Sequence, residues 1–184
     1  MEVYVKKVNV FFVMMVCLLG LGLASCNNDN GDGNGGGGPN TALNGHWINS
    51  TEGVDLLLNN GNFTWWFHNG DTPVEAFKGT YTTNGNNITM TIIQINGVLF
   101  EDMAAEFGVS TEGWYTQSSF KNAVIKAIVD YGLPQAVAEG LYEEMFGEEF
   151  NEIFAPQTGT YAVSGSTLTL RLEDSEEPLT LSIQ

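Results

Sequence analysis

The amino-acid sequence predicts a mainly β domain: an eight-stranded antiparallel up-and-down barrel with an α-helical insertion between the fifth and sixth strands. Short runs of alternating apolar and polar residues indicate strands that bury one face, and Gly- and Asn-containing turns between the runs indicate hairpins. Residues 101–156 interrupt this pattern with helical periodicity. We favour a closed barrel because closure leaves no unpaired strand edge.

The first 25 residues have the plan of a bacterial signal peptide. Two lysines precede an uncharged apolar run, Val10 to Ala24, which is shorter than the roughly 20 residues that a membrane-crossing helix needs. The run ends in Leu-Ala-Ser-Cys, which resembles the lipobox of bacterial lipoproteins. The resemblance implies cleavage before Cys26 and attachment of diacylglycerol and palmitate to that cysteine. An ordinary secretory signal, with Cys26 incidental, is the alternative.

Lipidation of Cys26 predicts a lipoprotein of the bacterial cell envelope that contacts the membrane through its anchor. We expect it at the outer membrane, and Asp29 and Asp32 resemble a surface-export signal that would add surface display. Residues 26–40 are predicted to be the lipidated cysteine and a flexible Asn/Asp/Gly tether, because residues 27–40 include no apolar side chain to bury. Residues 41–184 suffice for one domain with one core.

Composition limits the partners and the chemistry. The formal net charge is −16 at pH 7, so nucleic acid and anionic membrane surfaces are poor partners. The two cysteines are Cys17, in the signal peptide, and Cys26, which leaves no thiol for catalysis or a disulfide. We expect no cofactor.

The strands are placed by the alternating runs. The first begins at Gly45, and the next two form a hairpin through the turn Asn59-Asn60-Gly61. A second hairpin turns at residues 84–87. The residues that share inward faces are Val54, Leu56, Leu58, Phe63, Trp65, Phe67, Ile88, Met90 and Ile92, and the remaining strands are Phe77 to Thr83, Thr158 to Val163, Thr167 to Leu172 and Leu179 to Ile183.

The chain also repeats one hairpin. Residues 79–92 align without gaps on residues 159–172, beginning with Gly-Thr-Tyr in both copies and keeping the alternation in phase. We therefore expect the two hairpins to hold similar places in one sheet.

Several short motifs carry a family resemblance. Asn44-Gly45-His46-Trp47, the Asn-Gly-Asn-Phe of the first hairpin and the two Gly-Thr-Tyr hairpins are similar to bacterial lipocalin-like lipoproteins, over residues 43–95 and 158–183. The resemblance implies a structural role for Gly45 and Trp47, which would close the base of the barrel. Arg171 lies one strand too early for the arginine that packs on this tryptophan in lipocalins.

The insertion is predicted to contain two helices and a further turn. Ser118 or Ser119 would cap the first, which presents Phe120, Val124, Ala127, Ile128 and Tyr131 on one face and stops at Gly132. The second has Pro134 in its first turn, a stripe of Val137, Leu141 and Met145, and an end at Gly147; the further turn is 148–154. Such an insertion is either a lid or a cap that extends the core. Trp66 is expected to point out of the barrel.

Aromatic side chains are the strongest indication of a binding site. Alternate strand positions would place rings inside the barrel, and the candidate pocket residues are Phe63, Trp65, Phe67, Tyr81 and Tyr161. The sequence therefore predicts a barrel that binds an apolar small molecule. The alternative is a cell-surface interaction module that binds a macromolecular partner through its helical insertion and loops. An enclosed cavity of roughly 300 Å³ or more would favour the ligand, and a filled barrel the interaction module.

Catalysis and metal binding are not predicted. Acidic residues concentrate in the insertion, where they most often form a solvated helix face: Glu101, Asp102, Glu106, Glu139, Glu143, Glu144, Glu148, Glu149 and Glu152. His46 and His68 are the two histidines, and each is interpreted as an outward strand residue. We therefore expect no enzyme and no metal site.

Overall fold

The computed structural model describes residues 40–69, 72–100, 108–173, 175 and 177–184. The predicted signal peptide, Cys26 and the tether as far as Pro39 lie outside these residues, and so do the acidic residues Glu101, Asp102 and Glu106. Within the described part of the chain, no helix combines the length and the apolar character needed to cross a membrane.

The described residues form a closed antiparallel barrel. Its strands are β1 (Gly45–Asn49), β2 (Val54–Asn59), β3 (Asn62–Asn69), β4 (Thr72–Asn84), β5 (Asn87–Asn96), the two-residue β6 (Trp114–Tyr115), β7 (Gln157–Ser164), β8 (Thr167–Leu172) and β9 (Leu179–Ile183). Successive barrel strands pair, β5 with β7 across the insertion, and β9 pairs with β1 to close the ring. The predicted eight-stranded up-and-down barrel is confirmed, with β6 as a short addition to β5.

Alternate strand residues build the core. Trp47, Leu56, Leu58, Tyr81 and Leu181 are among the side chains with almost no exposure, and each belongs to an inward strand face. The hairpin β2–β3 turns through Asn60 and Gly61, both with positive φ, as a two-residue turn of type I′ requires. This turn lies at the base of the barrel, together with the 3₁₀ turn Thr41–Leu43.

The repeated hairpins lie in one sheet, as predicted, and the structure also makes them neighbours. Hairpin β4–β5 pairs Gly79 with Ile92, and hairpin β7–β8 pairs the equivalent Gly159 with Leu172. The two hairpins then pair with each other, with Ile88 opposite Gly159. The sequence repeat therefore reflects two copies of one register in neighbouring parts of the ring.

The insertion leaves the barrel where β5 ends, at the mouth opposite the base. It contains a 3₁₀ turn (Gly97–Phe100), β6, helix α1 (Gln117–Asp130), helix α2 (Gln135–Tyr142), a π-helical turn (Glu143–Gly147) and helix α3 (Glu148–Phe154). The placement of helices between the fifth and sixth barrel strands is confirmed. Strand β6 was not predicted, because two residues show no alternation.

The ends of the helices differ from the prediction at two points. Thr116 caps α1 instead of Ser118 or Ser119: its side chain accepts from the Ser119 backbone N–H, and the Ser119 hydroxyl accepts from the Thr116 backbone N–H. Gly147 does not end the second helix, since the chain continues directly into α3. Gly132 follows α1 with a φ of 102°, which suits the predicted stop.

The buried face of the insertion also differs from the prediction. Phe120, Val124 and Ile128 of α1 are buried as expected, but Tyr131 is 91% exposed because α1 ends at Asp130. In α2 and the π-helical turn the predicted stripe was wrong by one residue, and the buried side chains are those of Ala138, Tyr142 and Phe146. On an α-helix, each residue is displaced by about 40° around the axis from the residue four positions before it. The π-helical turn has more residues per turn, which offsets this displacement and keeps the three side chains on one face.

Stacked rings hold the insertion together. The rings of Phe120 and Phe150 stack with centroids 4.4 Å apart and planes 8° apart, and Phe100 lies 4.7 Å from Phe120. Tyr115 of β6 meets Phe120 edge-on and pairs with Ile95 of β5. The helices therefore share an aromatic cluster that is continuous with the barrel core and is joined to β5 through Tyr115.

Candidate functional site

The five candidate pocket residues all belong to the barrel core. Phe63, Trp65, Tyr81 and Tyr161 are between 1% and 8% exposed, and Phe67 is half-buried against them. Phe67 meets Phe77 edge-on at 5.8 Å between ring centroids and lies 6.2 Å from Trp65. The structure therefore brings the predicted rings together on the inward face.

The exposed fraction of these rings indicates whether they line a cavity or fill the core. Accessible surface includes any surface that faces an internal void wide enough for water, so rings that line a ligand-sized cavity keep an exposed fraction. Four of the five predicted rings have almost none. These side chains belong to one core cluster with the neighbouring buried residues, as in a barrel filled by its own side chains.

The two tyrosines of the repeat are anchored at the base. Tyr81 Oη donates to Asn44 Oδ1 at 3.2 Å, and Tyr161 Oη donates to the Gly85 carbonyl at 2.9 Å while it accepts from Asn40 Nδ2 at 2.8 Å. Burial raises the pKa of Tyr81, so its hydroxyl stays protonated and able to donate. Both hydroxyls thus tie base segments to the barrel.

Trp65 has the one polar group of the predicted pocket that lacks such an anchor. Its indole Nε1 is buried and has no hydrogen-bond partner among the described residues. An unsatisfied buried donor costs about 1–3 kcal/mol unless water or a ligand supplies an acceptor. This donor is the feature of the barrel interior that best fits a bound molecule.

Gly45 and Trp47 lie in β1 at the base of the barrel. Trp47 is buried, and its Nε1 donates to the Leu43 carbonyl at 2.8 Å. A Cβ on Gly45 would lie 3.3 Å from Trp47 Nε1 and 3.0 Å from Ile183 Cδ1, so glycine permits this close approach. Arg171 is exposed in β8.

The outer face of β1, β2 and β3 holds a cluster that sequence reasoning missed. His46 Nε2 lies 3.4 Å from Asp55 Oδ2, and His68 Nε2 lies 3.2 Å from Asp55 Oδ1. The Trp66 ring lies 5.9 Å from the His46 ring, so Trp66 does point outward, beside a histidine. Each imidazole forms an ion pair with Asp55 when it is protonated.

This cluster depends on strand register. Asp55 stands opposite Ile48 in β1 and opposite Trp66 in β3, which brings residues from three strands onto one face. The alternation of β2 placed Asp55 outward, but no sequence signal paired it with both histidines. Among the described residues, no group of three or more His, Cys, Asp or Glu side chains is arranged to hold a metal ion, and this cluster is included in that result.

The outer surface of the insertion combines apolar and acidic residues. Val137 and Met145 are each 46% exposed, Leu141 between them is half-buried, and Leu133 is exposed in the turn before α2. We call Val137, Leu141 and Met145 the apolar stripe. From α2 to the end of the insertion, the glutamates are all exposed: Glu139, Glu143, Glu144, Glu148, Glu149 and Glu152.

One of these glutamates is electrostatically crowded. Partial burial raises the pKa of Glu149, and the nearby negative charges of Glu152 and Glu148 raise it further. Glu149 also continues the four-residue spacing of the apolar stripe beyond Met145. The surface therefore carries negative charge at the end of an exposed apolar row.

Comparisons with known proteins add little to this geometry. No family model matches the chain, and no curated protein compared with it is similar. A solved structure, that of an uncharacterized protein from Bacteroides eggerthii DSM 20697, resembles it at 13% sequence identity with a TM-score of 0.36, over 72% of this chain and 82% of the other. Similarity at this level carries no argument about function.

Proposed function

We propose that this protein is an envelope lipoprotein, anchored by lipid on Cys26, whose barrel is a non-catalytic scaffold that presents the helical insertion to a macromolecular partner. The observation that carries the proposal is a contrast in burial. Four of the five rings predicted to line a pocket are buried in the barrel core, while Val137 and Met145 of the apolar stripe are exposed. Exposed apolar rows on helices are a common mark of interaction sites.

The anchor and the tether fit this role. The predicted tether between Cys26 and Asn40 has 13 residues and would have an r.m.s. reach of roughly 20 Å, which would hold the domain clear of the membrane surface. A domain at this distance is accessible to partners in the envelope or outside the cell, and its negative charge repels anionic lipid headgroups.

Site-specific photocrosslinking in intact cells tests the proposal. A photoreactive amino acid at Met145 should yield a discrete crosslinked adduct, whereas the same residue at Thr82, exposed on β4 far from the insertion, should not. Absence of any adduct at Met145 and at Val137, with normal amounts of the protein in the envelope, would contradict the interaction module.

A second candidate function is favoured by Trp65. The unsatisfied Nε1 inside the barrel suits a small apolar molecule that carries one acceptor, such as a fatty acid or ester. Titration with a fluorescent fatty acid, followed by tryptophan quenching, tests it. Saturable binding that Trp65→Phe weakens would support the ligand barrel, and lack of saturable binding would leave the interaction module alone.

A further inference from the structure

Two residues of the apolar stripe lie outside the core of the insertion. The side chains that α2 and the π-helical turn bury are Ala138, Tyr142 and Phe146, on a different face of the same helix. Leu141 packs partly against the core, whereas Val137 and Met145 keep nearly half of their surface exposed. Core packing therefore does not explain why Val137 and Met145 are large and apolar.

A row of carboxylates lies next to the stripe. Glu144, Glu148 and Glu152 also have four-residue spacing, and all three are exposed. We call them the acidic ridge. Glu144 follows Leu141 by three positions, and Glu148 follows Met145 by three. Residues three positions apart are neighbours on the surface of a helix, so the two rows run side by side. An apolar row beside a charged row is the pattern of one half of an amphipathic helix pairing.

The negative charge of this surface is poorly compensated within the chain. Between Lys126 and Arg171 the sequence contains no basic residue. Lys121 pairs with Glu143 of the π-helical turn, and Lys126 pairs with Asp130 on α1, so both nearby lysines have carboxylate partners outside the acidic ridge. Partial burial and the negative charges of Glu152 and Glu148 raise the pKa of Glu149. The same negative charges would attract a positively charged partner to this surface.

The negative charge of the acidic ridge determines which kinds of partner could bind the apolar stripe. A second copy would bring the same acidic ridge and a net charge of −16, and an anionic membrane would be repelled in the same way. A positively charged partner would neutralise the ridge while its apolar side chains cover the stripe. An extended β-strand does not match four-residue spacing, whereas a helix does.

We infer that the stripe Val137, Leu141 and Met145, with the acidic ridge, is a docking site for a cationic amphipathic helix of another protein. The inference rests on the proposed interaction module and specifies the chemistry of its partner. The partner helix would present Leu-like residues three or four positions apart to the stripe and Lys or Arg residues to the ridge.

The test uses the full-length lipidated protein in non-ionic detergent micelles and a synthetic amphipathic helical peptide of leucine and lysine. A peptide of the same composition in scrambled order is the peptide control. Two variants remove the site: Val137→Ser with Met145→Ser, and Glu144→Gln with Glu148→Gln and Glu152→Gln. The matched charge control is Glu52→Gln with Glu112→Gln and Glu177→Gln, three exposed glutamates outside the helices.

The expected result is saturable binding of the amphipathic peptide by the wild type and weak binding of the scrambled one. Each site variant should lose affinity by about tenfold or more, and the charge control by no more than about twofold. Equal losses in the ridge variant and the charge control would show unspecific attraction to an acidic protein and overturn the inference. All substituted side chains are exposed, and denaturation midpoints of the variants check that they fold.

The remaining outcomes separate this inference from the proposed function. A crosslink at Met145 in cells, with no selective peptide binding, would keep the interaction module and overturn the cationic partner. A wild type that is dimeric by analytical ultracentrifugation, with a monomeric stripe variant, would assign the stripe to a second copy and also overturn it. Absence of both crosslinking and peptide binding would reject both proposals.

Discussion

The Nε1 of Trp47 donates a 2.8 Å hydrogen bond to the carbonyl of Leu43, so the ring that fills the base of the barrel also holds the turn that covers it. Leu43 is fully buried in that turn, and Asn40 begins it by accepting from the Ala42 backbone N–H. The segment that enters the domain from the tether is thus fastened at the first core residue.

Trp47→Ala should destabilise the domain by about 3–5 kcal/mol, because it empties a buried aromatic site. Trp47→Phe keeps most of the apolar contact but leaves the Leu43 carbonyl without its donor, so its cost should be smaller. Urea denaturation followed by circular dichroism measures both. A midpoint of Trp47→Ala equal to that of the wild type would contradict a structural role for this residue.

Gly79→Ala should destabilise the barrel by about 1–3 kcal/mol or more, because the added methyl group cannot be accommodated. Its Cβ would lie 2.1 Å from the Thr91 carbonyl oxygen and 2.4 Å from the Phe63 ring. Gly140→Ala in α2 is the control, since its Cβ would meet nothing within 4 Å and should stabilise the helix by up to about 1 kcal/mol. Similar unfolding midpoints for the two variants would refute the packing described here.

Cys26→Ser should abolish membrane anchoring, since the substitution removes the sulfur that would be lipidated. Partitioning between detergent and aqueous phases, followed by immunoblotting, measures the effect, and metabolic labelling with palmitate gives an independent readout. Cys17→Ser is the control, because Cys17 lies in the predicted signal peptide. If Cys26→Ser still enters the detergent phase like the wild type, the anchor is not on this residue.

Glu149→Gln should stabilise the domain slightly at neutral pH and not at acidic pH. The pKa of Glu149 is raised above its ordinary value of 4.5, so its ionisation costs stability. That cost is absent below the unfolded-state pKa, grows as pH rises through the interval up to the folded-state pKa, and is complete above it. Denaturation midpoints of the wild type and the variant at pH 3.5 and pH 7 measure the difference, which should be small because the carboxylate is largely solvated.

The opposite pH dependence, with Glu149→Gln more beneficial at acidic than at neutral pH, would contradict the crowding around Glu149. Glu112→Gln, which removes one exposed carboxylate outside the helices, serves as the control for the loss of a single negative charge.

The strands could be predicted because each buries one face. The alternation of Phe63 and Trp65 with polar neighbours, and of Ile88 and Met90 with threonines, specifies which side chains lie inside. Asn60-Gly61 marks a turn whose positive φ angles few other residue pairs adopt readily.

The faces of the second helix could not be predicted in the same way. Val137, Leu141 and Met145 have the same four-residue spacing as Ala138, Tyr142 and Phe146, so the sequence offered two parallel rows. The aromatic cluster around Phe120 and Phe150 decided which row is buried. The row of Val137, Leu141 and Met145 could therefore be recognised as a surface feature only in the tertiary structure.

By itself, the sequence determined the local features of this protein: the strand faces, the turns, the repeated hairpin and the helical character of the insertion. It also predicts lipidation of Cys26 from a motif that resembles a lipobox. These depend on residues that are close along the chain. Only the tertiary structure decided that Asp55 lies between His46 and His68, that Trp65 Nε1 has no partner among the described residues, and that Val137 and Met145 stay exposed. Such relations arise from strand register and from competition between faces for one core, and both couple residues that are distant in sequence.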